Sequence, residues 1–383
     1  MVQVDNTGKI ILKGVGSSVS QGLYKNRIID PSQLVRAIKR CITRAEKASG
    51  IIAKVAVVNV SGKGINSVIN KGTVVSNHAS GQISLEDKQE VLKKAKAVKE
   101  DGEYKVIHCL PLYFQIDSKR VFTDPVGMFG SNLEVATNII FGEKENIMKL
   151  TNCLKNAGLK VGGLVLGVLA TGEVMLSKEE KENGVTIIDI GGSLTEIGVY
   201  QNGILKHVRI IPLGSEYITK DISSILKVTV PEAERLKVTY GFAKADVDAK
   251  KDKVDILAKD KRYTISIYDL SQIIEARMSE ILNMTKKELE KIENNDDIYK
   301  KIVVCGGGSL LKNTPELVFQ IFNRPVREGI PEKMKTIVND VYQVSSMGLI
   351  IYALEHNLIK FLEEEKKEED VKSKLKNWIK DFF

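Results

Sequence analysis

The stretch TIIDIGGSLTEIGVY, residues 186–200, decides how the rest of the chain is read. One apolar run carries Asp189 near its end and passes at once into Gly191 and Gly192. A second apolar run begins at Thr195. Two apolar runs of strand length joined by a glycine turn predict an antiparallel pair. Without a Cβ, the glycines also let backbone N–H groups come close to an anion. A carboxylate at that junction can hold Mg²⁺ through its water shell, because this ion keeps several of its waters. Thr195 could add a hydroxyl contact. Taken alone, the stretch reads equally well as a plain hairpin with a glycine turn.

Moving outward, QNGILKHVRIIPLG supplies a third strand after a tight turn. In KIVVCGGGSLL an apolar strand runs into Gly306, Gly307 and Gly308, with a helix start expected to be capped by Ser309. Such a junction suits a flat base or a phosphate against exposed backbone. It lacks the spacing of the dinucleotide-binding fingerprint. In PEAERLKVTYG, Glu234 and Lys237 lie three apart on one predicted helix face. They suit a ribose hydroxyl and an adenine edge, or simply a surface ion pair.

Around these stretches strands and helices alternate, which predicts an α/β architecture. A strand pattern over Lys9 to Val15 precedes a helix from Pro31 to Ala48 with Leu34, Ile38, Cys41 and Ile42 on one face. A buried strand is expected near 54–62, then a separate inserted module over 63–138 with a helix near 85–99. Helices follow at 144–156, 215–226, 231–240 and 269–293, with a variable charged stretch at 245–263. At 383 residues the chain exceeds one small core, so two or more subdomains are expected. No apolar run reaches the roughly 18 residues that a membrane span needs. The opening MVQVDNTGKI is polar, unlike a secretory leader. The four cysteines fit no zinc spacing, which favours a cytosolic chain with reduced thiols. The four histidines show no paired ligand spacing. A formal charge of +8 permits a polyanionic partner. No nucleic-acid-binding motif accompanies it, so no nucleic-acid partner is assigned.

The end of the chain is different in kind. After the charge run KFLEEEKKEEDVKSK, a solvated tether, comes KLKNWIKDFF. Leu375, Trp378, Ile379, Phe382 and Phe383 fall at i, i+3, i+4, i+7 and i+8, one stripe of a helix. Lys372, Lys374, Lys376 and Lys380 take the other faces, against Asp381 alone. That is the profile of a helix lying in a bilayer interface. The competing arrangement is a helix docked on the protein's own core, which the charged tether disfavours.

These stretches together resemble the actin-like ATPases, and within them the bacterial cell-division FtsA family. The resemblance covers nearly the whole chain and includes GVGSSVSQGL, DPVGMFGSNLEV, EEKENGVTIIDIGG, HVRIIPLG with ITKDIS, PEAERLKVTYG, IVVCGGGSLL, RPVREGIP and the terminal amphipathic helix. It implies an α/β, two-lobed actin-like (ribonuclease H-like) fold with an inserted subdomain of the 1C (SHS2) type. The implied layout is subdomain 1A over 1–60, 139–184 and 331–356, and 1C over 61–138. Subdomain 2A would take 185–223 and 300–330, and 2B 224–299. A charged linker over 357–371 and a membrane-targeting helix over 372–383 would follow. It further implies ATP and Mg²⁺ as cofactors, with Asp189 to Thr195 as the second phosphate hairpin and Gly306 to Gly308, Glu234 and Lys237 around the adenosine. Implied partners are neighbouring protomers of a filament, the FtsZ C-terminal tail near Arg277, other division proteins and an anionic membrane. The implied place is the cytoplasmic face of the cell membrane at the division site. Arg277 reads equally well as a solvent-facing helix arginine.

The chain also departs from the family pattern. Actin relatives grip phosphate with two hairpins, the first carrying D-x-G-T or D-x-G-S. Here the chain opens in what should be that hairpin's second strand, so the first strand of the N-terminal sheet is expected to be missing and its neighbours to carry unpaired backbone. Either a late start or a degenerate relative would account for this. Where DIGGGTTD is common, this chain has Ser193, Leu194 and Glu196. Gly167 stands where some relatives place a water-orienting glutamate, and Glu173, the nearest carboxylate, is not assigned that role. Nucleotide binding with at most weak hydrolysis is therefore expected. The competing expectations are a pilus-assembly relative and an active sugar-kinase-like or ATP-hydrolysing enzyme.

Overall fold

The computed structural model describes all residues except 5–9, 25, 63, 77–79, 98–101, 122–123, 259–260, 293–299, 332–343, 357 and 359–383. In chain order it begins with β1 (Val2–Val4), β2 (Ile10–Leu12), β3 (Leu23–Tyr24), β4 (Arg27–Ile28), α1 (Pro31–Ser49) and β5 (Val55–Val60). The inserted module follows as β6 (Asn66–Val75), α2 (Leu85–Lys96), β7 (Tyr104–Ile116), β8 (Lys119–Val121) and β9 (Asn132–Glu143). Next come α3 (Lys144–Asn156), β10 (Lys160–Leu166), α4 (Gly167–Met175) and α5 (Lys178–Asn183). The second lobe holds β11 (Val185–Ile190), β12 (Thr195–Gln201), β13 (Ile204–Ile211), α6 (Ser215–Leu226) and α7 (Val230–Tyr240). It continues with β14 (Lys253–Ala258), β15 (Lys261–Ser266), α8 (Ile267–Glu290), β16 (Ile302–Cys305), α9 (Thr314–Phe322) and β17 (Val326–Glu328). The last described helix is α10 (Val344–Glu355).

The stretch with Asp189 lies at the middle of the second lobe. Its five-stranded sheet has the order β13-β12-β11-β16-β17. β11 pairs antiparallel with β12, placing Asp189 opposite Glu196, and parallel with β16, placing Asp189 opposite Cys305. A strand paired on both edges and covered on both faces must be apolar throughout, which is why VTIIDI shows no alternation. Ile188 and Ile190 join one core with Ile218 of α6, Leu236 of α7 and Ile274 of α8, while Ile187 faces the other, with Val168 and Tyr352. Along α8, Leu270, Ile274, Met278 and Leu282 recur every four residues and form its buried stripe.

In the first lobe β5 pairs in parallel with β10. Among the described residues β5 has no other strand partner, and β1 and β2 pair only with each other. Among the described residues the N-terminal lobe thus holds three separate two-stranded ladders, β1–β2, β3–β4 and β5–β10. The inserted module is a four-stranded sheet of order β6-β9-β7-β8. Helix α2 covers one face of it, burying Val91 and Ala95 with Val74, Phe114 and Leu133. Ser84 and Asp87 close a reciprocal cap at the start of α2. His108 of β7 fastens the module to the lobe: its Nε2 accepts the Leu166 N–H at 3.0 Å, and its other ring nitrogen lies 3.4 Å from the Tyr352 hydroxyl.

One local expectation is corrected. Ser309 does not cap a helix start after the three glycines; it lies inside a short 3-10 turn over Gly307–Leu310, where its hydroxyl donates to the Gly306 carbonyl at 2.9 Å. The following α-helix begins at Thr314.

Glu180 ties the lobes together. It accepts the Ser177 N–H at the start of α5, the Lys301 ammonium at 2.8 Å and two nitrogens of Arg327 at 2.7 and 2.5 Å. Burial raises its pKa, but these donors outweigh burial and hold the carboxyl at about 2. A carboxylate with a depressed folded-state pKa stabilises the protein above its unfolded value near 4.5, and that stability fades as pH falls toward 2. In urea unfolding, Glu180→Gln should therefore cost about 2–3 kcal/mol at pH 7, the range for hydrogen bonds to charged groups. The gap to the parent should close progressively between pH 4.5 and 2.

Candidate functional site

Between the lobes lies a cleft of about 400 Å³. Asp189, Gly191 and Gly192 line it, with Thr171 and Gly167 of α4, Asn59 of β5, Glu196 of β12 and Ser345 of α10. Asp189 reaches this position because β11 ends there, and Thr171 donates its hydroxyl to the carboxylate at 2.9 Å. Burial raises the Asp189 pKa, and the Thr171 hydroxyl opposes that rise. The turn after it is held from below. The Ser215 and Glu216 N–H groups donate to the Gly191 and Gly192 carbonyls at 2.8 and 2.9 Å, seating the first turn of α6 on the loop.

The sequence reading did not assign Glu196 to the site. Cross-strand pairing with Asp189 aims it into the same cleft, beside Gly167. A Cβ on Gly167 would stand 2.6 Å from Glu196 Oε2, so the carboxylate fills the space that a side chain at 167 would need. Burial pushes the Glu196 pKa up and the charge of Asp189 adds to this; the value lies at about 7. Within the sequence, the signal was an acid seven residues after Asp189 on the paired strand. Glu216 lines the cleft too, accepting from the Ser193 hydroxyl at 3.3 Å. Three carboxylates against Lys220 make this an acidic cleft, one that receives a phosphate best together with a cation.

The glycine triplet meets the same aspartate from the β16 side. Gly306 has φ +85°, and a Cβ there would stand 2.3 Å from Asp189 Oδ1. Only a glycine allows both the left-handed backbone and that approach. Gly308 packs under Ile190 and is buried, whereas Gly307 is exposed. Glu234 and Lys237 pair at 2.8 Å, with Lys237 buried and Glu234 half exposed. The Lys237 ammonium also donates to the Ser215 carbonyl at 3.3 Å and to the Thr219 hydroxyl at 2.9 Å. Burial raises the Glu234 pKa, but Lys237 and Thr219 draw it below its ordinary value. Ser215 thus links the pair to the turn after Asp189, but of the predicted residues only Asp189, Gly191 and Gly192 line the cleft itself. Thr195 is buried and donates its hydroxyl to the Leu213 carbonyl at 2.9 Å. It holds the hairpin rather than facing the cleft.

Two further residues are engaged elsewhere. The Arg277 guanidinium donates to both Asp221 oxygens, at 2.5 and 3.0 Å, and to Glu280. It is neither solvent-facing and unpaired nor open to an incoming carboxylate without exchange. Glu173 pairs with Lys181 at 2.7 Å, away from the cleft lining. The terminal stripe of Leu375, Trp378, Ile379, Phe382 and Phe383, with Lys376 and Lys380, lies outside the described residues. Among the described residues no helix is long and apolar enough to cross a membrane.

Asp189 and Glu196, with the close backbone around them, fit a hydrated cation carrying a phosphate chain. Comparison with known proteins agrees with this architecture. The family model "Cell division protein FtsA" matches residues 186–348, and "SHS2 domain inserted in FTSA" matches residues 62–141. The chain is 35% identical to the cell division protein FtsA of Bacillus subtilis, over 89% of this chain and 77% of that one. It is 32% identical to FtsA of Borreliella burgdorferi, over 100% of this chain and 95% of the relative. Among solved structures, the type IV pilus biogenesis complex PilM–PilN shares the fold with a TM-score of 0.61 at 16% identity, over 91% of this chain and 90% of that one. An actin-like α/β fold with an inserted SHS2 subdomain, matched along its whole length by cell-division relatives, places this chain in the FtsA family of cell-division proteins.

Proposed function

We propose that the protein binds ATP with Mg²⁺ in the cleft beside Asp189 and anchors a division filament to the membrane through its C-terminal helix. The observation that carries this reading is Asp189, which lines the cleft beside the glycine turn of residues 191–192 while Gly306 brings backbone against its carboxylate from behind. In this reading Asp189 holds the ion through water, and the ion offsets the phosphate charge that three cleft carboxylates would otherwise repel. The Gly191–Gly192 turn faces the phosphates, and Gly306 to Gly308, Glu234 and Lys237 flank the nucleoside. Residues 61–138 serve contacts between protomers, and 224–299 receive the acidic tail of FtsZ. Arg277 takes part in that contact only by exchanging Asp221 for a carboxylate of the tail. Turnover is slow, because Glu173 is committed to Lys181 and Gly167 carries no side chain.

The tail supports the anchoring half. Burying a large apolar side chain contributes about 1.5–3 kcal/mol, and each lysine near an anionic leaflet about 1 kcal/mol. A short helix is marginal in water, so ordering it subtracts from that sum. One tail then binds reversibly, and a row of tails on a filament binds firmly through effective concentration. This puts the protein on the cytoplasmic face of the cell membrane, at the division site.

Two outcomes test the reading. Fluorescent ATP titrated in Mg²⁺ should bind the parent, and Asp189→Asn should weaken it about tenfold or more, the size of one lost charged interaction. Gly306→Ala should also lose binding and cost about 1–3 kcal/mol of stability from its left-handed backbone; tight binding by both variants would contradict the site. Cosedimentation with phosphatidylglycerol-containing vesicles should fall about tenfold or more for Trp378→Glu; equal pelleting of both proteins would contradict the anchor.

A further inference from the structure

Helix α1 carries an unbalanced stripe of positive charge. Arg36, Lys39, Arg40, Arg44 and Lys47 are all exposed. At 3.6 residues per turn they share an arc of about 140° and a line about 17 Å long. The opposite face, with Leu34, Ala37 and Ala45, is buried. Among the described residues no carboxylate comes within ion-pair distance of any of the five. Their recorded partners are neutral: Arg40 donates to Gln21 Oε1 at 2.8 Å and Ser18 Oγ at 3.4 Å, and Arg44 to the Ser17 carbonyl. Arg36 feels the N-cap carboxylate of Asp30 only through space. Glu46, the one acid of the helix, is half-buried and accepts the Ala53 N–H at 2.9 Å.

A charged helix face is ordinarily a solvated one, and on α2 and α3 it is balanced. Lys94 pairs with Glu90 and Lys149 with Glu145, each one turn apart. The α1 stripe has no such partners, so its field is directed outward. It runs along a single helix, and α1 contains no aromatic residue on which a base could stack. A flat, diffuse, anionic surface matches that shape better than a strand of nucleic acid or a peptide in a groove.

We propose that the outer face of α1 is a second, electrostatic contact of the protein body with anionic lipid headgroups. The choice of lipid as partner rests on the reading of the terminal helix as membrane-directed; the stripe itself does not. Residues 359–371 span at most about 47 Å when extended, a bound on how far the terminal helix can lie from the body. Five cations near such a surface act together within a Debye length of about 8 Å at physiological salt, so the contact is salt-sensitive where the apolar insertion of the tail is not.

The test uses the full chain and flotation with two vesicle types, phosphatidylcholine alone and phosphatidylcholine with phosphatidylglycerol. The variants are Arg40→Glu/Arg44→Glu/Lys47→Glu and, because Arg40 and Arg44 also anchor the N-terminal segment, Lys39→Glu/Lys47→Glu, whose residues anchor nothing. Each cation is worth about fivefold in affinity at an anionic leaflet. The triple variant should therefore bind anionic vesicles about a hundredfold more weakly at low salt, and the double variant about twenty-five-fold. Binding to neutral vesicles should not change. Parental binding of the double variant to anionic vesicles would overturn the proposal. So would retained vesicle binding with loss of affinity for duplex DNA or a polyglutamate peptide, which would assign the stripe to another polyanion. Failure of the tail is told apart by Trp378→Glu: if it binds like the parent while the double variant does not, the anchor reading falls and the α1 contact stands.

Discussion

Everything at the cleft depends on main chain closing around one partly buried carboxylate, that of Asp189. Asp189 ends the central strand of a sheet paired on both of its edges, so its position is set by two ladders at once. Around it the chain closes in from β16, where Gly306 leaves no room for a Cβ beside Oδ1. From α6, two N–H groups reach the carbonyls of the Gly191–Gly192 turn. A carboxylate drawn partly out of water is costly unless a cation or a donor compensates it. Thr171 supplies one donor. The remaining compensation is what a hydrated cation with its phosphates would provide, and this links the packing of the second lobe to the proposed chemistry.

The same constraint explains the altered hairpin. Glu196 brings a second carboxylate against Asp189, and its pKa rises to about 7 because burial and a like charge disfavour ionisation together. Gly167 makes room for it. A family position without a side chain and a strand position with a longer acid thus occupy one volume. The inserted module is joined through His108, a neutral imidazole whose pKa burial lowers to about 4 and whose Nε2 accepts a backbone proton where β10 meets α4.

Much of this was legible along the chain, and the failures share one cause. The helices at 144–156 and 215–226 agree with their expected ends, and α7 and α8 with theirs to within a few residues. Their apolar stripes and caps are local properties. The hairpin after Asp189 was legible because two apolar runs joined by glycines are a local pattern. Thr195 and Ser309 were misjudged because a hydroxyl beside a motif has many possible acceptors, and only the positions of Leu213 and Gly306 decide which one it takes. Arg277 could not be read for a similar reason, since its partner Asp221 lies 56 residues away on α6.

By itself the sequence determined the alternation of elements, the family and the amphipathic spacing of the tail. Each of these follows from residue type and short-range periodicity, which no distant contact can alter. Tertiary structure alone decided that Glu196 shares a cleft with Asp189, that Arg277 is already paired, and that the cations of α1 stand without acids among the described residues. Those facts depend on which distant segments pack together, and charge and hydrogen bonding act over a few ångströms of space, whatever the separation along the chain.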